Sequence, residues 1–164
     1  MLFKKIKKIP YNTVGSCLKH VKKTSIISPW IEDIFIKKKK IKISEYKNFE
    51  IHRLKLKNIG FKKATKLKDV YKRINKLKYN LIPPEISIYI RIIYKNQPRG
   101  EWLRMAVPFN SMIDSDGVPH LPKLGKALGK KFLETYWSYP DAIFHPHNDF
   151  LVIRFNVKKK IKTN

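Results

Sequence analysis

Leu81-Ile82-Pro83-Pro84-Glu85-Ile86-Ser87-Ile88-Tyr89-Ile90-Arg91-Ile92 is the stretch on which the reading of the fold turns. Isoleucines at 86, 88, 90 and 92 alternate with Ser87, Tyr89 and Arg91 behind two prolines, which predicts a strand with one face on a core. Upstream, the period from Thr65 is helical. Leu67, Val70, Tyr71, Ile74 and Leu77 form one stripe, and Lys66, Lys68, Lys72, Arg73 and Lys76 cover the outside. Asn48–Lys57 reads as a strand whose apolar phase changes between Ile51 and Leu54, predicting a bulge near Arg53. Trp30–Ile36 and Ile41–Ile43 flank Lys37-Lys38-Lys39-Lys40 and predict a hairpin with a basic tip or basic arms. Before it, Asn12-Thr13 can cap a helix with Val14, Leu18 and Val21 on one face. Leu2–Ile9 suits an edge strand ending at Pro10. The order strand, helix, hairpin, helix, strand implies an α+β sandwich with helices on one sheet face.

After Tyr94 the character changes. Trp102–Phe109 predicts a short strand, Asp114–Gly117 a turn, and Pro122 opens a helix that Pro140 ends, with Leu124, Leu128, Phe132 and Leu133 on one side. Phe150–Val157 predicts a closing strand. The expected division is therefore a basic domain over 1–94, a mixed α/β C-terminal extension over 95–157 and a basic tail over 158–164.

Charge follows the same division. The 164 residues hold 37 basic and 12 acidic side chains, for a net charge of +25. Residues 1–80 carry 24 basic against 5 acidic groups, residues 81–157 carry 9 against 7, and the tail adds four lysines. Lysine outnumbers arginine by 31 to 6, a skew expected of an AT-rich genome. Codon drift alone would make the whole chain basic, so the segregation points to a polyanion-facing first half. Cys17 is the sole cysteine, which excludes a disulfide framework and a cysteine-based zinc cluster. No apolar run reaches the ~18–20 residues a membrane-spanning helix needs. The first ten residues lack the apolar core of a secretory signal, so an intracellular protein is expected.

The residues from 45 to 93 resemble the ribosomal protein S-ten family. Phe49-Glu50-Ile51 followed by His52-Arg53, the helix start at Thr65 and Leu81-Ile-Pro83-Pro84-Glu85-Ile-Ser-Ile-Tyr-Ile90 carry the resemblance. That family has a Phe-Glu-Ile-Arg strand, a Thr-rich helix start and a Leu-Pro-x-x-Val-x-Ile closing strand. The resemblance covers about the first 93 residues. It implies a ferredoxin-like two-layer sandwich in the head of a small ribosomal subunit, with a long basic hairpin threaded between rRNA and neighbouring ribosomal proteins. His52-Arg53-Leu54-Lys55 stands where the family has Arg-Thr, and the compact bacterial form has no counterpart to residues 95 onward. A divergent mitochondrial member accounts for both departures.

Candidate rRNA-binding residues are Lys37, Lys38, Lys39, Lys40, Lys42, Lys47, Arg53, Lys55, Lys158, Lys159 and Lys160. Lysine suits backbone phosphates, which position a protein without reading bases. The plainer reading of each run is a solvated charged surface. Trp30, Phe35 and Tyr46 interleave with the basic segment and could stack on splayed bases or pin the hairpin base. His145, His147 and Asp149 offer three ligand types without an evident fourth, and a Pro-rich turn is the simpler account. Gly125–Lys131 lacks the spacing of a phosphate loop.

The expected function is thus structural: an rRNA-binding constituent of a mitochondrial small ribosomal subunit. No enzymatic activity, cofactor, metal, membrane or small-molecule substrate is expected. The alternatives are a metal-dependent nucleic-acid enzyme or mobile-element protein using His145, His147 and Asp149, and an accessory subunit of another organellar complex. Neutralising Lys37–Lys40 is expected to weaken RNA association, and truncation after Tyr94 to leave it largely intact.

Overall fold

The computed structural model describes residues 1–156. Nine strands are β1 (Leu2–Lys8), β2 (Ile26–Ile27), β3 (Lys47–Lys55), β4 (Thr65–Lys66), β5 (Trp102–Met105), β6 (His120–Ala127), β7 (Lys130–Trp137), β8 (Ile143–Phe144) and β9 (Asp149–Phe155). Four helices are α1 (Val14–Thr24), α2 (Pro29–Phe35), α3 (Leu67–Lys76) and α4 (Pro84–Ile93). Seven strands form one sheet in the order β1-β3-β9-β5-β6-β7-β2, and β4 and β8 pair separately. All neighbours are antiparallel except β9–β5 and β7–β2. The chain is thus mixed α/β with a mostly antiparallel sheet, compatible with the expected α+β class.

α1 forms where the capping residues predict it. Thr13 Oγ1 accepts from the Ser16 backbone N–H at 3.3 Å, and Ser16 Oγ accepts from the Thr13 N–H at 3.2 Å. Val14, Cys17, Leu18 and Val21 are buried. α3 likewise follows its stripe, burying Leu67, Val70, Tyr71 and Ile74.

Three elements differ from the sequence reading. The strand expected over residues 86–92 is helix α4. Pro84 opens it and Glu85 lies in its first turn, both suited to a helix start. Ser87, Tyr89 and Arg91 are as buried as Ile86, Ile88 and Ile90, so the alternation marks no exposed face. A short apolar run covered on all sides carries no period that separates strand from helix.

The basic hairpin is absent too. Ser28 caps a helix by accepting the Trp30 N–H at 3.2 Å, Pro29 follows, and Ile31, Ile34 and Phe35 are buried at helical spacing. Residues 36–46 are an irregular loop without strand pairing, apart from an isolated bridge between Thr13 and Lys42.

The helix expected from Pro122 to Pro140 is instead the β6–β7 hairpin. Its two-residue turn, Leu128-Gly129, has φ of 51° and 73°, the left-handed pair that a type I′ turn requires.

The bulge expected near Arg53 also moves. β3 pairs with β9 without a break from Phe49↔Phe155 to Lys55↔Asp149, and the irregularity falls in β1 between Leu2 and Lys4.

β9 decides the topology. It lies between β3 and β5, so strands from both sides of residue 94 interleave in one sheet. One sheet face aligns Phe49, Ile51, Ile153, Leu151, Met105, Leu103, Leu124 and Leu133, all essentially inaccessible to solvent. Those residues join the α1, α2 and α4 apolar side chains in a continuous core.

Candidate nucleic-acid interface

The first turn of a helix leaves backbone N–H groups without partners. In α1 two of them are taken by the lysine loop: Val14 N–H donates to the Ile41 carbonyl and Gly15 N–H to the Lys39 carbonyl, both at 2.9 Å. Ile43 is buried, and its N–H donates to the Asn12 carbonyl at 2.8 Å. A Cβ on Gly15 would stand 3.1 Å from the Lys39 carbonyl oxygen, so glycine lets the loop lie against the helix. The loop is therefore draped over the α1 N-terminus with Lys37, Lys39, Lys40 and Lys42 facing solvent. Lys38 is half-buried, and its Nζ reaches the Ser111 carbonyl at 3.5 Å. Among the described residues, none of Lys37–Lys40, Lys42 or Lys47 has a carboxylate within ion-pair distance.

Along α1 the exposed Ser16, Lys19, His20 and Lys23 fall at i, i+3, i+4 and i+7, one outward stripe. At its C-terminal end, Lys22, Lys23, Lys130 and Lys131 line a groove of about 300 Å³ with Ile26 and Gly129. Partial burial, then Arg91, Lys126 and Lys95 nearby, push the Lys131 ammonium pKa below its usual value. Lys22 alone of the four pairs with an acid, Glu32 at 2.7 Å. The α1 axis spans about 16 Å at 1.5 Å per residue, and Lys19 and Lys23 stand on its outward face between the lysine loop and the groove at the β6–β7 turn. Lys130 and Lys131, hidden within a misread helix, were not among the sequence candidates. A Leu-Gly pair between two apolar runs was the available signal.

No family model, curated protein or solved structure matches this chain.

Arg53 and Lys55 have another role. Arg53 donates through Nε to Asp149 Oδ2 and through Nη1 to Glu101 Oε2, each at 2.9 Å, and its Nη2 also meets Asp149. Lys55 Nζ lies 3.0 Å from Asp149 Oδ1. Tyr94 donates to Glu101 at 2.6 Å, and burial followed by that carboxylate pushes its phenol up to about 12. These cations join β3, β5 and β9 internally and hold two acids, which leaves them poorly placed to neutralise phosphate. Lys158, Lys159 and Lys160 lie outside the described residues.

The interleaved aromatics separate. Phe35 is in the core, and Tyr46 donates to Glu85 at 2.5 Å while stacking on Phe155. Trp30 is 53% exposed and stacks on His120 at 5.7 Å. His120 belongs to a buried chain the sequence did not disclose: its Nε2 lies 2.8 Å from Asp114 Oδ2 and its Nδ1 3.0 Å from Thr135 Oγ1.

His145 and His147 stack at 5.7 Å, but Asp149 is committed to Arg53 and Lys55. Among the described residues no group of three His, Cys, Asp or Glu side chains is arranged to hold a metal ion. Cys17 is buried, and burial pushes its thiol up to about 12, away from the thiolate a nucleophile needs. No helix among the described residues is long and apolar enough to cross a membrane.

Proposed function

We propose that this protein is a structural RNA-binding protein that holds a phosphate backbone along α1, between the Lys37–Lys42 loop and the β6–β7 turn. The observation that carries this reading is the row of lysines along α1, almost all without acidic partners among the described residues, on a helix whose other face is core. Exposed lysines on rigid elements neutralise phosphates and release counterions, which supplies sequence-independent affinity. No reaction is assigned to the protein.

The RNA to test first is the rRNA of a small ribosomal subunit, in a mitochondrion, with neighbouring ribosomal proteins as further partners. The segregated charge and the resemblance at residues 45–93 support that choice. The resemblance is narrower at the level of elements. Its Phe-Glu-Ile strand and its second helix correspond to β3 and α3, while its closing strand falls on α4 and its protruding hairpin on α2 and a loop. A ferredoxin-like sandwich is accordingly proposed only as a sheet-and-helix layering.

The test is salt-dependent binding to RNA. Replacing Lys19, Lys23, Lys39 and Lys130 with Gln is expected to weaken binding and to flatten the log–log salt dependence by about 0.7–0.9 per phosphate contact removed. An unchanged slope would contradict the stripe. Co-sedimentation with small ribosomal subunits at low salt, reversed at high salt, tests the ribosomal form. Sedimentation free of rRNA would end that form while leaving RNA binding intact.

A further inference from the structure

The second face of the sheet carries chemistry that the lysine stripe does not use. Cross-strand pairing sets Trp102, Gly125 and Phe132 in one row and Arg104, Lys123 and Glu134 in the next, all on the same face of β5, β6 and β7. Except for Gly125 these side chains are half-buried rather than covered. The Trp102 ring packs against Gly125, where a Cβ would come within 2.1–2.4 Å of its carbons. Phe132 lies 6.1 Å from it, and Lys123 Nζ stands 4.9 Å from its centroid.

A cavity of about 320 Å³ opens beside this row, between β5 and the turn before β9. Gly100, Trp102, Arg104, His147 and Asn148 contribute to its wall. Its two acids, Glu101 and Asp149, are already held by Arg53 and Lys55. Arg104 has no carboxylate within ion-pair distance among the described residues, and its guanidinium lies over the Tyr136 and Phe144 rings. The wall therefore joins a broad indole to an unpaired cation two residues away on one strand. That combination suits a nucleotide once the Lys123 side chain swings off the indole, which then offers a π-face to the base while Arg104 offers a fork of donors to a phosphate. Gly100, in the cavity wall, donates its N–H to the Lys126 carbonyl of β6 at 2.7 Å.

We infer that this cavity takes one unpaired nucleotide of the bound RNA, its base stacked on Trp102 and its phosphate on Arg104. The inference rests on the RNA-binding reading and adds to it a preference for single-stranded over duplex RNA, because a paired base has no free face to offer.

Two measurements on the full chain test it. In the first, a short single-stranded RNA and its duplex are titrated against the parent, Trp102→Leu, Trp102→Phe and Arg104→Gln. The parent should prefer the single strand. Trp102→Leu should weaken single-strand binding roughly 5- to 150-fold, the value of one lost base stack, with duplex affinity unchanged. Trp102→Phe should retain most of the preference, and Arg104→Gln should lose it in part. Equal single-strand affinity across the series, or equal losses on both RNAs, would overturn the inference. In the second, adenosine monophosphate is added to the parent while the Trp102 indole N–H resonance, assigned by triple-resonance spectra of the parent itself, is followed. A saturable shift is expected and its absence overturns the cavity assignment, whether or not substituted variants fold. If the parent binds neither RNA, the stripe reading fails, and the nucleotide titration judges the cavity separately.

Discussion

Arg91 is buried to 1% exposure on α4, where its guanidinium donates to Gln97 Oε1 and the Tyr94 carbonyl at 2.7 Å and to the Phe132 and Gly125 carbonyls at 3.1 and 3.2 Å. Burial pushes its pKa down to about 10, so the acceptors around it offset a real desolvation cost. One side chain thus ties a helix from before residue 94 to a hairpin from after it. Arg91→Met should destabilise the protein by roughly 3 kcal/mol, because it strands several buried acceptors, and a urea denaturation midpoint measures the loss. Asp114 gives a pH prediction. The His120 hydrogen bond, followed by the Val118 N–H and then, beyond an opposing burial effect, the Asp116 N–H, holds its carboxyl pKa below the ordinary value. A lowered carboxylate pKa contributes stability that is complete above the unfolded value of about 3.9 and is lost as pH falls through the lower folded value. Melting temperature should therefore fall less steeply on acidification in Asp114→Asn than in the parent. Identical acid limbs would remove that role. At this scale the sequence showed residue type but not partner: His120 and Asp114 are six apart, while Thr135 arrives only through the β6–β7 pairing.

Among the elements, capping residues were the most legible signal and apolar alternation the least. Thr13 before Val14 marks α1, and the same grammar at Ser28-Pro29 marks α2, where apolar pattern suggested a strand; at α4 Pro83 offers no side-chain cap, and Pro84 by itself does not outweigh the apolar alternation. The β6–β7 hairpin shows the converse, since Leu124, Leu128 and Leu133 mimic a helical stripe while Leu128-Gly129 sits in the turn. Leu128 holds φ of 51° with its side chain 81% exposed, a left-handed conformation that a γ-branched residue adopts at a cost. Leu128→Asn should stabilise the hairpin by about 1 kcal/mol and raise the melting temperature by about 2–4 °C. Gly125→Val should do the opposite, destabilising by about 1–3 kcal/mol as its side chain is forced into the Trp102 ring. Calorimetry on the two variants checks both signs.

For the molecule as a whole, β9 governs the outcome. Its seven residues pair with β3 on one side and β5 on the other and bury Phe150, Leu151, Val152 and Ile153 completely. Truncation after Tyr94 removes it together with β5, β6 and β7, leaving β3 an open edge and the core half-lined. Such a fragment should show no cooperative unfolding transition and no native hydrogen-exchange protection in β3. The sequence-based expectation is that RNA binding survives this truncation, whereas the interleaved sheet predicts that binding is lost with the folded state. The division of labour changes as well: the lysine groove at the end of α1 takes Lys22 and Lys23 from before residue 94 and Lys130 and Lys131 from after it.

The sequence alone determined the net charge, its segregation, the helices α1 and α3 and strands β1 and β3, where an amphipathic period suffices because one face meets water, and β9, whose short apolar run reads as a strand although both its faces are buried. Only the tertiary structure decided α4, the β6–β7 hairpin, the central place of β9 and which lysines stand together. Those features depend on burial from all sides and on pairing between residues far apart in the chain, and neither leaves a periodic trace in the residues themselves.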